Sequence, residues 1–198
     1  MQYYILRHEN IDGGFVDGDV AIYPNPIDYY EIGKEILTPE TTASVTLDKR
    51  VKKLRSEFFL TTCGAFFVSE QMKEVLEQHK SNINFFLADV SYYSGKTTEQ
   101  KYLLIHTSDK IPCFDYLNSD YSGKPMVLKK LDSGELGNDY KVRGIKKFCI
   151  KESECGDLDF FFIDKIIWID PLISERIANA AKERNIQLNI EKIFSTQS

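Results

Sequence analysis

The chain has 198 residues, a formal net charge of −5 and 42% hydrophobic side chains, among them 13 Phe, 11 Tyr and 1 Trp. That is material for one domain, or for two small lobes divided near residue 98 and sharing a core. No apolar run approaches the roughly 20 residues of a membrane span. The opening MQYYILRHEN lacks the basic start and long apolar core of a secretory leader, and the acidic balance argues against nucleic-acid binding, so a cytoplasmic protein is expected.

The charge is unevenly placed. Residues 1–100 carry 10 basic and 15 acidic side chains, whereas residues 101–198 carry 15 of each. Within the first half, residues 9–40 hold eight acids against one base, Lys34. Such a run keeps a surface wet, and it also forms an acidic face able to steer a basic partner.

Along the chain, QYYIL at 2–6 reads as a strand rich in aromatic and branched residues. DGGFVDGD at 12–19 is a turn cluster. The prolines of 24–40 break regular structure and leave room for a short helix at most. EFFLTT at 57–62 and AFFVS at 65–69 form two aromatic runs joined by Cys63-Gly64. After Ser69, which suits an N-cap, Met72, Val75, Leu76 and the ring of His79 fall on one helical stripe at i, i+3, i+4 and i+7. INFFLADV at 83–90 returns as a strand. KYLLIHT at 101–107 is another, and IPCFDYL at 111–117 is a further candidate. KPMVLKKL and VRGIKKFCI follow, with DSGELGND as a loop between them. LDFFFID at 158–164 and IIWI at 166–169 lead into Asp170-Pro171. Asp at N-cap with Pro at N1 predicts a helix start there, with Ile173, Ile177, Ala180 and Ala181 on its buried face. IQLNI at 186–190 is the returning strand. The pattern strand–cap–helix–strand thus occurs twice. Neither copy has the glycine between strand and helix that a phosphate cradle needs. An α+β protein is expected, with mixed or antiparallel sheets, a few packed helices and two related strand–helix–strand halves.

Three fragments resemble catalytic motifs and fail a requirement of each. YYILRHEN ends a strand in Arg-His as histidine phosphatases do, but Glu9 stands where they carry Gly. Gly95-Lys96-Thr97 matches the tail of a P-loop, but the glycine required five residues earlier is Val90; an exposed hairpin loop is the expectation. The pairs Asp157/Asp159 and Glu152/Glu154 need burial to split their pKa values, and KESECGDLD reads as a polar loop. Cys63, Cys113, Cys149 and Cys155 are irregularly spaced and read as buried or bystander thiols, not as a metal site. No cofactor or metal is expected, and catalysis is not indicated.

The last third, IKKFCIKESECGDLDFFFID followed by IIWIDPLISERIANAAKERNIQLNI, is similar to the closing segment of a family of bacterial immunity proteins. That family belongs to contact-dependent and polymorphic toxin systems and was first catalogued as a domain of unknown function. Residues 145–150, Gly156, the run Leu158, Asp159, Phe160 and Phe161, and Ser174-Glu175-Arg176 fill its slots. KYLLIHTSDKIPCFDYLNSDY matches its strand followed by Asp-x-x-x-Ser-x-Tyr at Asp115, Ser119 and Tyr121, which are read as holding a turn. YYIL and FFVSEQMKEVL are similar too. One departure is Asp170-Pro171, which places Ser174-Glu175-Arg176 inside the predicted helix instead of at its start.

The resemblance implies a bacterial cytoplasmic protein that binds and neutralises a cognate protein toxin, with no catalytic residues, no nucleic acid and no membrane. Charge asymmetry then nominates segment 9–40 as toxin contact, with Tyr23, Tyr29 and Tyr30 as amphipathic anchors among Asp28, Glu31 and Glu35. The alternative is a small-ligand-binding protein or enzyme with a pocket no motif reveals.

Overall fold

The computed structural model describes residues 1–8, 16, 18–24, 30–34, 36–167 and 170–196. The elements in chain order are β1 (Tyr3–Leu6), β2 (Gly18–Tyr23), β3 (Thr42–Leu47), β4 (Phe58–Leu60), β5 (Phe66–Ser69), α1 (Glu70–Glu77), β6 (Asn84–Ser91) and β7 (Tyr102–His106). They continue with α2 (Lys124–Asp132), β8 (Cys149–Lys151), β9 (Phe160–Phe161), β10 (Leu172–Ser174), α3 (Glu175–Glu183), β11 (Ile190–Lys192) and β12 (Phe194–Thr196). The strands form a six-stranded sheet in the order β2-β3-β6-β7-β5-β4, a four-stranded sheet β11-β1-β10-β9, and a β12-β8 pair. Pairing is antiparallel apart from β3–β6 and β12–β8. This is an α+β fold, as the residue patterns indicated.

The two aromatic runs are antiparallel partners, Phe58 opposite Val68 and Leu60 opposite Phe66. Gly64, at φ 92°, sits in the turn between them, a left-handed conformation that glycine adopts without a Cβ penalty. Ser69 caps α1, its Oγ accepting from Met72 N at 3.1 Å. Met72, Val75 and Leu76 are buried as their spacing requires. His79 lies past the helix end, half-buried, with Nδ1 2.7 Å from the Val75 carbonyl.

The second corner departs from the expectation. Asp170-Pro171 does not start a helix; a strand, β10, intervenes and Ser174 is the cap, its Oγ accepting from Ile177 N. The reason is tertiary. The Asp170 carboxylate is engaged by Arg7 Nη1 at 3.2 Å and His8 Nδ1 at 2.5 Å, and the Pro171 carbonyl accepts from Leu6 N. The segment is thereby held extended beside β1. Ile173 consequently packs from a strand, while Ile177 and Ala181 pack from the helix. The returning strand β11 starts at Ile190, later than the 186–190 expected from sequence. Residues 111–117 form a turn with isolated bridges instead of a strand.

With Ser174 as cap, the two corners correspond residue by residue. Ser69 N donates to the Glu57 carbonyl, and Ser174 N to the Asp159 carbonyl. Each serine hydroxyl also donates to that same residue's carboxylate, Glu57 or Asp159. The first helical amide of α1 donates to the Lys101 carbonyl, just before β7; that of α3 donates to the Gln2 carbonyl, just before β1. Ser69 registers with Tyr102 and Ser174 with Tyr3. The strand orders β4-β5-β7-β6 and β9-β10-β1-β11 are therefore equivalent. In both, a helix links two like-directed strands around an antiparallel middle strand. In the second unit that middle strand is supplied by the N-terminus of the chain.

The α1 and α3 helices pack together, with Arg184 donating to Glu74 at 2.9 Å and Gln78 at 3.0 Å. One core runs between the units, joining Phe66, Met72 and Leu76 to Phe160, Ile173 and Ile177. A second core, with Tyr3, Ile5, Phe161 and Leu172, backs the small sheet with the layer that contains α2 and β8.

Candidate partner-binding surface and neighbouring cleft

Of the residues nominated by charge and aromatic content, the three described ones, Tyr23, Tyr30 and Glu31, are not gathered into one patch. Asp28, Tyr29 and Glu35 lie outside the described residues. Tyr23 ends β2 and is 52% exposed. Tyr30 is 1% exposed, and its hydroxyl meets His106 Nδ1. His106 shares its sheet face with Leu104 and Phe86, whereas Tyr23 registers through Thr42 with Leu87 on the opposite face. Tyr30 is thus a post inside the core and offers no ring to a partner, while Tyr23 does. Local sequence cannot distinguish adjacent tyrosines of this kind, because the burial of Tyr30 depends on a histidine 76 positions away.

Glu31 is half-buried and takes Lys34 Nζ at 2.7 Å and Lys141 Nζ at 3.0 Å. Hydrogen bonds from Lys34 and then Lys141 outweigh its burial and hold the carboxyl below the usual glutamate range. Around it lies a cleft of about 310 Å³ that also receives Lys110 and Asp164. The stem of Lys110 crosses Gly33, where φ is 85° and an added Cβ would come 2.9 Å from Lys110 Cε. Burial, helped by nearby Lys141, pushes the Lys110 ammonium down from its ordinary value. Among the described residues Lys110 has no hydrogen bond or ion pair. The cleft holds three lysines against Glu31, Asp109 and Asp164, so its formal charge is balanced although Lys110 itself is not paired.

The motif-like fragments fall into structural roles. His8 and Arg7 clamp Asp170, and Arg7 reaches on to Glu191 at 2.5 Å, joining the end of β1 to β11. Gly95-Lys96 lies in a hairpin turn closed by Tyr92 N to the Lys96 carbonyl at 2.8 Å. Asp159 is the polar residue that motif reasoning undervalued. It is 3% exposed and accepts Ser174 Oγ at 2.5 Å, Arg176 Nε at 2.7 Å and Lys80 N at 3.1 Å. Burial pushes its pKa up, but these donors more than offset that and hold the carboxyl below its usual range. Asp115 accepts Leu117 N and Asn118 N, each at 3.0 Å, and Ser119 bonds Cys149 N and O, so both hold a turn. Cys113, Cys149 and Cys155 are buried free thiols. The Cys113 thiol is pushed up by the neighbouring Cys155 thiol and by burial. Among the described residues no group of His, Cys, Asp and Glu is arranged to hold a metal, and no helix is long and apolar enough to cross a membrane.

This is an α+β protein in which buried Asp115, Asp159, Asp170 and Ser174 are tied into caps, clamps and turns, and whose strand β2 presents Asp19 and Tyr23 outward. The model of the Imm11 immunity protein family matches residues 2–188, and the chain belongs to that family. No curated protein matches the chain. Membership points to a toxin-immunity role.

Proposed function

We propose that this chain neutralises a cognate bacterial toxin by direct protein–protein contact in the cytoplasm and performs no reaction of its own. The observation that carries the reading is the Imm11 match over residues 2–188. Physical support comes from the charge distribution. Eight acids against one base in residues 9–40 make the local potential negative, which attracts a basic partner. Segment 9–40 contributes to the contact, with Tyr23 and Tyr29 as anchors beside Asp28, Glu31 and Glu35.

The test is co-expression with the toxin domain encoded by the neighbouring reading frame. Cells should survive only when this protein is present, and the two purified proteins should form a complex. Death of cells that contain the folded protein would overturn the reading. Reversing Asp28 and Glu35 to Lys should slow association about tenfold at low salt and little at high salt, because separated surface charges are screened beyond about 10 Å at 0.1 M. Glu31 is left intact because its carboxylate holds Lys34 and Lys141. On-rates equal to wild type at both salt concentrations would remove this segment from the interface.

A further inference from the structure

One face of the six-stranded sheet is only partly covered. Register places Tyr23, Thr42, Leu87 and Leu103 in a single row across β2, β3, β6 and β7 on that face. The α1 helix lies over the β5–β7 end of the row and buries Met72, Val75 and Leu76 there. A helix about 10 Å wide covers roughly two strands spaced about 4.8 Å apart, and α3 packs against α1 on the side of the small sheet. Among the described residues, three strands, β6, β3 and β2, are therefore left open. On them Leu87 is 72% exposed, and Thr42, Ser44 and Thr46 all face solvent. Tyr23 and Leu87 stand two strands apart, roughly 10 Å, which is the width of one large side chain.

The charge that β2, β3 and β6 themselves carry on this face has one sign. Asp19 and Asp89 are the ionisable side chains that the three strands present on this face, and both are exposed. At the helix border Lys73 leans over the Phe85 ring, 5.7 Å from its centroid, and is paired to Glu77 at 2.8 Å. Its charge is therefore neutralised together with that of Glu77, as Arg184 neutralises Glu74. The result is an apolar and hydroxyl-bearing floor that carries two exposed carboxylates. Exposed Leu at a sheet centre costs solvation that a partner would recover.

The geometry points to this face as the toxin-docking surface, resting on the toxin-binding reading above. Its occupant is a basic patch of the toxin. An aliphatic or aromatic toxin side chain seats between Tyr23 and Leu87, while surrounding Lys or Arg groups meet Asp19 and Asp89. This differs from a contact made by segment 9–40 alone, because two of the three floor strands, β3 and β6, lie outside that segment.

The experiment measures binding of the immobilised toxin domain from the neighbouring reading frame to the wild-type chain and three variants. These are Leu87→Asp, the pair Asp19→Lys/Asp89→Lys, and Met126→Asp as a control on exposed α2. Melting temperature is recorded for each, and since all the altered side chains are exposed it should stay near wild type. Leu87→Asp should weaken binding at least about tenfold, mainly through faster dissociation. The charge pair should slow association about tenfold at low salt and not at high salt. Met126→Asp should bind like wild type. Folded Leu87→Asp and charge-pair variants that bind within about twofold of a tightly binding wild type would overturn this surface while leaving the toxin reading in place. A wild-type chain that neither binds nor protects would overturn that reading and this one with it. Self-association of the wild type that Leu87→Asp abolishes would assign the face to a second copy of this chain and also overturn the proposal.

Discussion

Ser174→Ala is the most informative test of the architecture, because one buried hydroxyl serves two partners. It caps α3 by accepting from Ile177 N at 3.4 Å, it donates to Asp159 Oδ1 at 2.5 Å, and it sits fully buried where β10 becomes α3. Loss of an N-cap costs about 1 kcal/mol. A buried carboxylate deprived of a donor costs about 1–3 kcal/mol more. The sum, about 2–4 kcal/mol, corresponds to a fall in melting temperature of roughly 5–15 °C for a chain of this length. The equivalent Ser69→Ala removes the same cap, but Glu57 is only half-buried, so water can replace the lost donor there as it cannot at buried Asp159. Its cost should stay nearer the cap alone, about 1–2 kcal/mol. Urea and thermal unfolding followed by circular dichroism measure both variants. A Ser174→Ala change within about 0.5 kcal/mol of wild type, or a larger loss for Ser69→Ala, would refute the claim that these serines organise the two corners.

Two further outcomes follow from the core. Phe67 is fully buried and stacked on Phe59 with ring centroids 5.1 Å apart, so Phe67→Ala should cost about 3–5 kcal/mol in urea unfolding. Stability should fall on acidification in two separated ranges. Burial lowers the His106 pKa, so the fold holds a neutral imidazole that the unfolded chain protonates first; stability is full above the ordinary histidine value and declines as pH drops below it. Asp159, held below the usual carboxylate range, keeps its contribution above the ordinary aspartate value and loses it as pH falls further. Melting temperatures across pH should show both ranges in wild type, and His106→Gln should remove only the upper one.

Much of the fold could be read from periodicity. Ser69 followed by Met72, Val75 and Leu76 identified α1 and its cap, since capping chemistry and the 3.6-residue stripe are local. The aromatic runs on either side of Gly64 identified the β4–β5 hairpin for the same reason. The helix α2 has a glycine cap at φ 74° with no side-chain cap bond and buries Val127 from its length, so neither a start signal nor a stripe announces it. Asp170-Pro171 presented the stronger helix-start signal, yet Ser174 is the cap. Arg7, His8 and Leu6 bind Asp170 and Pro171 from the other end of the chain, and those bonds outweigh the local preference.

The candidate surface divides along the same line. Tyr23, Tyr30 and Glu31 share an aromatic, acidic segment, but only long-range packing puts Tyr23 in solvent, Tyr30 against His106 and Glu31 between two lysines. The sequence by itself determined that strand–cap–helix–strand occurs twice and that the first half is acidic, because capping, periodicity and charge are properties of short segments. Only the tertiary structure decided which strand each unit encloses, that the second borrows β1 from the N-terminus, and which sheet face stays open. Those outcomes depend on strand pairing and burial between residues far apart in sequence, more than 150 positions for β1 with β10, and no local pattern encodes them.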